Sequence, residues 1–206
     1  MRVISIPLFI LTFLAGACSS TYKFTEQYSS EHLKSSDINH LMVMVLYPDD
    51  MIETRVALET SMADEFNQQN VVAVCGYRSF SSYENLEDRV DDIKSALRET
   101  NSKNLLIINP IRAIDHDDSD YHNEVAVYRA LRMESAEFWS SVTEILESAD
   151  ASQFVMGVSL WNLDAEDFIW EGTFDIKAPG GYDLQNAKVY AQEFSKVILD
   201  TLKEKE

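Results

Sequence analysis

Cations are scarce in this chain: 17 Lys and Arg stand against 35 Asp and Glu, and the formal charge is -18. So acidic a surface has no basic stripe for nucleic acid, and charge alone would not draw it to phosphate or anionic lipid. Thiols are scarcer still, with only Cys18 and Cys75. Two cysteines allow at most one disulfide, and if Cys18 is otherwise engaged Cys75 is a lone thiol that reads as a small buried hydrophobe. Glycine is also sparse. The turn after the first predicted strand is Tyr47-Pro48-Asp49-Asp50, with neither a glycine-rich phosphate cradle nor a P-loop lysine, and no G-x-S-x-G elbow occurs. Internal repeats and low-complexity runs are absent. No cofactor is expected, and the chain does not read as an enzyme.

What is present begins with an address. Arg2 is a short basic region, Val3 to Leu14 is an apolar run too short to span a bilayer, and Ala15, Gly16 and Ala17 lead into Cys18. This stretch resembles the signal peptide and lipobox of bacterial lipoproteins, with Ala15 where the family prefers leucine. The resemblance implies cleavage after Ala17 and lipidation of Cys18, which rules out a disulfide to Cys75. Two or more acyl chains anchor stably where one would not. The second mature residue would be Ser19 rather than the aspartate that retains such proteins in the inner membrane. That implies residence in the outer membrane, facing the periplasm. Removing Arg2 with residues 1–17 leaves a net charge of -19. Membrane contact must therefore come from the lipid.

Residues 18–40 are polar, Ser-rich and without sustained period, which predicts a lipidated N-terminus followed by a flexible tether. A single α/β domain is expected over 41–206, since 46% apolar residues suffice for a core. Leu41 to Tyr47 is an apolar run of strand length. Asp50 with Glu53 fits a capping box, opening a helix to about Gln69 whose stripe is Ile52, Val56, Met62, Ala63 and Phe66. Val71 to Cys75 is a second strand. Ser81 with Glu84 would cap a helix carrying Leu86, Val90, Ile93 and Leu97, and Asn104 to Asn109, ended by Pro110, is a third strand. These form a βαβαβ unit with parallel pairing. After an acidic insertion at 113–150, residues 154–163 and 167–176 form an antiparallel hairpin, and a helix follows Asp183. The fold class is thus mixed α/β, with about five strands and packed helices.

The order of Arg55-x-x-x-Glu59 on a helix, Val71-x-Ala73-x-x-x-Tyr77 at a strand end, and a late hairpin from Leu160-Trp161-Asn162-Leu163-Asp164 to Phe168-Ile169-Trp170-Glu171-Gly172-Thr173 resembles small periplasmic lipoproteins of unassigned function. More loosely, it is similar to the α/β domains of penicillin-binding-protein activator lipoproteins and the curli secretion lipoprotein. The anchor implied by the lipobox resemblance, together with the missing catalytic motifs, leads to the expectation of a non-catalytic, lipid-anchored envelope protein with a protein partner in the cell envelope. Metal or small-solute binding is the alternative, and envelope hydrolysis a third reading.

Three groups of residues are candidates for chemistry or recognition. His116, Asp118, Asp120 and His122 concentrate nitrogen and oxygen donors but lack a helical or calcium-loop frame, so a solvated acidic loop is the expectation. Ligands of parallel sheets bind beyond the strands' carboxyl ends, which gathers Tyr47, Asp49, Tyr77, Arg78 and Arg112 in a rim for ligand or partner. Arg55 and Glu59 fall inside the apolar stripe of the first helix, which predicts a buried structural charge pair one turn apart. For the acidic loop, calorimetry with Zn, Ni or Mn should show no tight stoichiometric binding. A submicromolar one-to-one isotherm that His116→Ala with His122→Ala abolishes would establish a metal site.

Overall fold

A computed structural model describes residues 21–31, 33, 38–47, 49–83, 89–114, 153–177 and 184–204. Its elements are β1 (Thr21–Ser29), β2 (His40–Val45), α1 (Ile52–Gln68), β3 (Val72–Cys75), α2 (Val90–Glu99), β4 (Asn104–Ile114), β5 (Gln153–Asn162), β6 (Asp167–Lys177) and α3 (Leu184–Lys203). The mixed α/β class stands, with a six-stranded sheet in the order β1-β6-β5-β4-β2-β3. β2 pairs in parallel with both β3 and β4, as a β2-α1-β3-α2-β4 unit requires. The rest of the sheet is antiparallel.

The sixth strand corrects the expected tether. Thr21–Ser29 pairs along β6, and the domain therefore starts at Thr21 and not at Leu41. Aromatic contacts add to this backbone pairing. Phe24 stacks on Trp170 with ring centroids 5.8 Å apart and meets Phe174 at 4.9 Å, while Glu26 accepts a 2.9 Å hydrogen bond from the Trp170 indole. Room for the Phe24 ring comes from Gly172, where a Cβ would collide with it.

Apolar residues cover both sheet faces. On one, Val43, Val45, Leu106, Ile108, Met156 and Phe174 pack under α1 and α3. On the other, Met42, Met44, Leu105 and Ile107 meet Ile93, Ala96 and Leu97 of α2. Alternation along β2 and β4 therefore sends successive residues into separate cores, which is why these strands read as continuous apolar runs.

Local predictions differ from the structure where polar side chains found tertiary partners. Asp49–Met51 is a 3-10 turn and α1 has no side-chain N-cap, so the capping box expected at Asp50 does not form. The buried face of α1 is Thr54, Arg55, Leu58, Glu59, Met62, Ala63 and Phe66, whereas Ile52 is exposed and Val56 only partly covered. Helix α2 begins at Val90 with Arg89 as its N-cap residue, and Ser81 lies outside it. Pro110 does not end β4. The strand continues to Ile114 through a register shift between Pro110 and Arg112, where a missing N–H is tolerated. Gly172→Ala should loosen β1 by driving a methyl into the Phe24 ring, at about 1–3 kcal/mol in a urea melt. An unchanged midpoint would show that Phe24 is not seated there.

Candidate functional site

The carboxyl ends of β2 and β3 are organised by one side chain of α1. Pairing between these strands stops at Val43 and Cys75. Beyond that point Glu59, fully buried, reaches in from α1: Oε1 accepts from the Val45 N–H at 3.0 Å and Oε2 from the Tyr77 N–H at 2.9 Å. The Tyr83 hydroxyl donates the third bond, at 2.6 Å, to Oε1. Gly76 must be glycine for this approach, since a Cβ would run into Met44 and Tyr83.

Arg55, also fully buried, packs its guanidinium 4.1 Å from the centre of the Tyr83 ring. Its Nη1 donates to Asp49 Oδ1 at 3.0 Å and its Nη2 to the Ser81 carbonyl at 3.1 Å. The two charges are thus both buried, but they do not form the direct pair expected from their spacing. Among the described residues, the ion pair of Arg55 is with Asp49. Tyr83 stands between, stacked by Arg55 and bonded to Glu59 through its hydroxyl. A residue beyond helix reach closed the circuit, and no pattern around Tyr83 marks it.

Burial sets the protonation of this cluster. It pushes Glu59 up to about 7, against the opposing pull of its three hydrogen bonds and the charge of Arg55. It also raises the Tyr83 hydroxyl, with Glu59 acting in the same direction. Cys75 is buried and its thiol raised, first by desolvation and then by Glu59. Desolvation likewise works against ionised Asp49, but hydrogen bonds from Ser82 and Arg55 outweigh it and hold that carboxyl below its ordinary value.

The predicted rim is mostly closed. Tyr47 is fully buried in the core under α1 and α3, and Asp49 is engaged by Arg55. Tyr77 is partly buried, with its hydroxyl 3.5 Å from that of Thr60. Arg78 is exposed beside the Tyr77 ring, its guanidinium 6.0 Å from the ring centre. Arg112 lies on β4 beyond Ile108, the residue opposite Val45, and so apart from the ends of β2 and β3. Cys18 and the acidic loop of His116, Asp118, Asp120 and His122 lie outside the described residues. Among the described residues no group of three or more His, Cys, Asp or Glu is placed to hold a metal ion.

Neither a protein-family model nor a curated protein matches this chain. Among solved structures it is similar to a PelC dodecamer from Paraburkholderia phytofirmans carrying one substitution, at 11% identity and a TM-score of 0.43, covering 88% of this chain and 96% of that one. A second PelC dodecamer from the same organism gives 11% identity and a TM-score of 0.40, over 90% and 98% of the two chains. Similarity at this level transfers no function.

Glu59 makes stability depend on pH in a defined direction. Its folded value, about 7, lies above the ordinary 4.5, so the fold favours the protonated acid. That contribution is complete below about pH 4.5 and is lost as pH rises through about 7, amounting to about 3 kcal/mol. Urea melts at about pH 4.5 and about pH 8 should show this loss in the wild type and a shallower one in Glu59→Gln. Equal losses in the two proteins would exclude a titrating Glu59.

Proposed function

We propose that the chain is a non-catalytic, lipid-anchored protein of the bacterial envelope, held in the outer membrane through Cys18 and facing the periplasm. Its α/β domain binds or assists another envelope component. The observation that carries this reading is the apolar segment Val3 to Leu14 followed by Ala15-Gly16-Ala17-Cys18, three residues ahead of the first strand of a folded domain.

The cluster at the strand ends supports the non-catalytic part. A carboxyl with a value near 7 is the kind of group that general acid–base chemistry uses. Glu59, however, has no exposed surface and receives Val45, Tyr77 and Tyr83, so its acceptor positions hold the fold together. Arg55 is committed in the same way to Asp49, Ser81 and Tyr83.

Cys18→Ala should abolish incorporation of labelled palmitate and leave the signal unprocessed by the lipoprotein route. Label retained at the wild-type level would overturn the anchor. Ser19→Asp should move the protein toward the inner membrane in a host that uses the aspartate rule, and unchanged fractionation there would count against the outer membrane. Crosslinking in intact envelopes, followed by mass spectrometry of what is captured, tests for the partner.

A further inference from the structure

We propose that Asn109, Ser159 and Glu171 form a buried site for a bare monovalent metal cation such as Na+, which ties β4, β5 and β6 together across one face of the sheet. The three residues come from neighbouring strands. Ser159 of β5 is opposite Ile107 on β4 and Glu171 on β6, while Asn109, two residues beyond Ile107, is opposite Gly157. The register shifts at Pro110/Arg112 and Leu160/Trp161 both lie outside this patch. Opposite residues share a face, and so do alternate residues of one strand. All three side chains therefore stand on the side of Ile107, the face against which α2 packs.

Asn109 and Ser159 are 0% exposed and Glu171 is 2% exposed. Asn109 Oδ1 and Nδ2, Ser159 Oγ and Glu171 Oε1 are sealed from water and have no hydrogen-bond partner among the described residues. Core-facing positions of a covered sheet are ordinarily apolar, and the other face of the same strands keeps that rule with Ile108, Val158, Leu160 and Trp170. Burial raises the Glu171 carboxyl and the charge of Asp167 adds to it, while no Lys, Arg or His among the described residues pairs with it. A carboxylate buried without a partner is costly, and a bound cation removes that cost.

Carboxylate, amide and hydroxyl oxygens are the donors that hard metal cations take. Opposite residues such as Ser159 and Glu171 start about 4.5–5.5 Å apart at Cβ, and Asn109 is diagonal to Ser159 at about 7–8 Å, beside Gly157, which adds no side chain. Asn and Glu are long enough to reach from either side toward the Ser159 hydroxyl, and Glu171 can bind through both of its oxygens. A place sealed from water favours a bare ion, smaller than a water molecule, over a hydrated ion or an organic ligand. Charge then selects among ions. One carboxylate balances one positive charge, whereas a divalent ion would bury an uncompensated one, and Asp167 is exposed.

The test is thermal unfolding of the full-length protein, with NaCl exchanged for choline chloride at constant ionic strength so that screening of this acidic chain is held fixed. Above half-saturation, each tenfold rise in Na+ should raise Tm by about 3–5 °C, and Glu171→Gln, which keeps the shape and removes the charge, should abolish that slope. Ser159→Ala, which removes one donor and keeps the carboxylate, should need several-fold more Na+ for the same shift, and it decides the matter if Glu171→Gln does not fold. Equal Tm of the wild type in NaCl and choline chloride would overturn the site. So would the wild-type slope retained in Glu171→Gln, or an unchanged titration in Ser159→Ala. Stabilisation of the wild type by submillimolar Ca2+ and not by Na+ would overturn the monovalent assignment.

Discussion

Two parallel strands that stop pairing leave backbone N–H groups pointing at nothing, and the fold meets this at β2 and β3 with the carboxyl of Glu59. Its oxygens accept from Val45 and Tyr77, the next donors beyond the last paired residues. A carboxylate there continues the ladder by one rung and ties it to α1. The cost is desolvation of an acid with no exposed surface, and three hydrogen bonds offset much of it. Other local features follow from this rung. Gly76 is required so that the chain can pass, the loop after β3 turns back to deliver the Tyr83 hydroxyl, and Arg55 lies on the ring that results.

The same cluster shows what residue pattern can and cannot carry. A helical wheel places Arg55 and Glu59 on the inner face of α1, and that is where they are. Spacing along one helix then points to a direct pair, because four residues is the only separation visible to it. The structure joins the two through Tyr83, twenty-four residues beyond Glu59, and gives Arg55 a carboxylate from the preceding turn. Such partners are set by the path of the loop after β3, and no periodicity records that path. The capping box failed for a related reason. Asp49 is drawn to Arg55 and Ser82, and the helix starts without a side-chain cap.

Strands buried on both faces were legible because both sides of β2 and β4 must be apolar, so their runs are unbroken. Strand β1 was not, since it lies at the edge of the sheet and most of its residues are exposed. Tyr22, Glu26 and Tyr28 are exposed and Phe24 is only partly covered, so the strand shows no apolar face for a pattern to find. Glu26, exposed as it is, accepts the indole N–H of Trp170 and so ties the edge strand to a buried ring. The polar composition that reads as tether is the composition of an edge strand, for which charge and exposure guard against pairing with other chains.

That strand changes the electrostatics of any anchor at Cys18. A mature chain of net charge -19 would be pushed from an anionic leaflet, and on a long tether it could retreat from that repulsion. With Thr21 only three residues after Cys18, a chain lipidated there could not retreat far. The Debye length at physiological salt is about 8 Å, so charges at an anchored end would feel the leaflet while those roughly 36 Å away, a length of β6, would not. The signs at the anchored end therefore matter more than the total. Lys23 and Lys177 are exposed at the end of the sheet where β1 starts, whereas at the opposite end Asp164 is exposed and Glu166 is paired with Lys94.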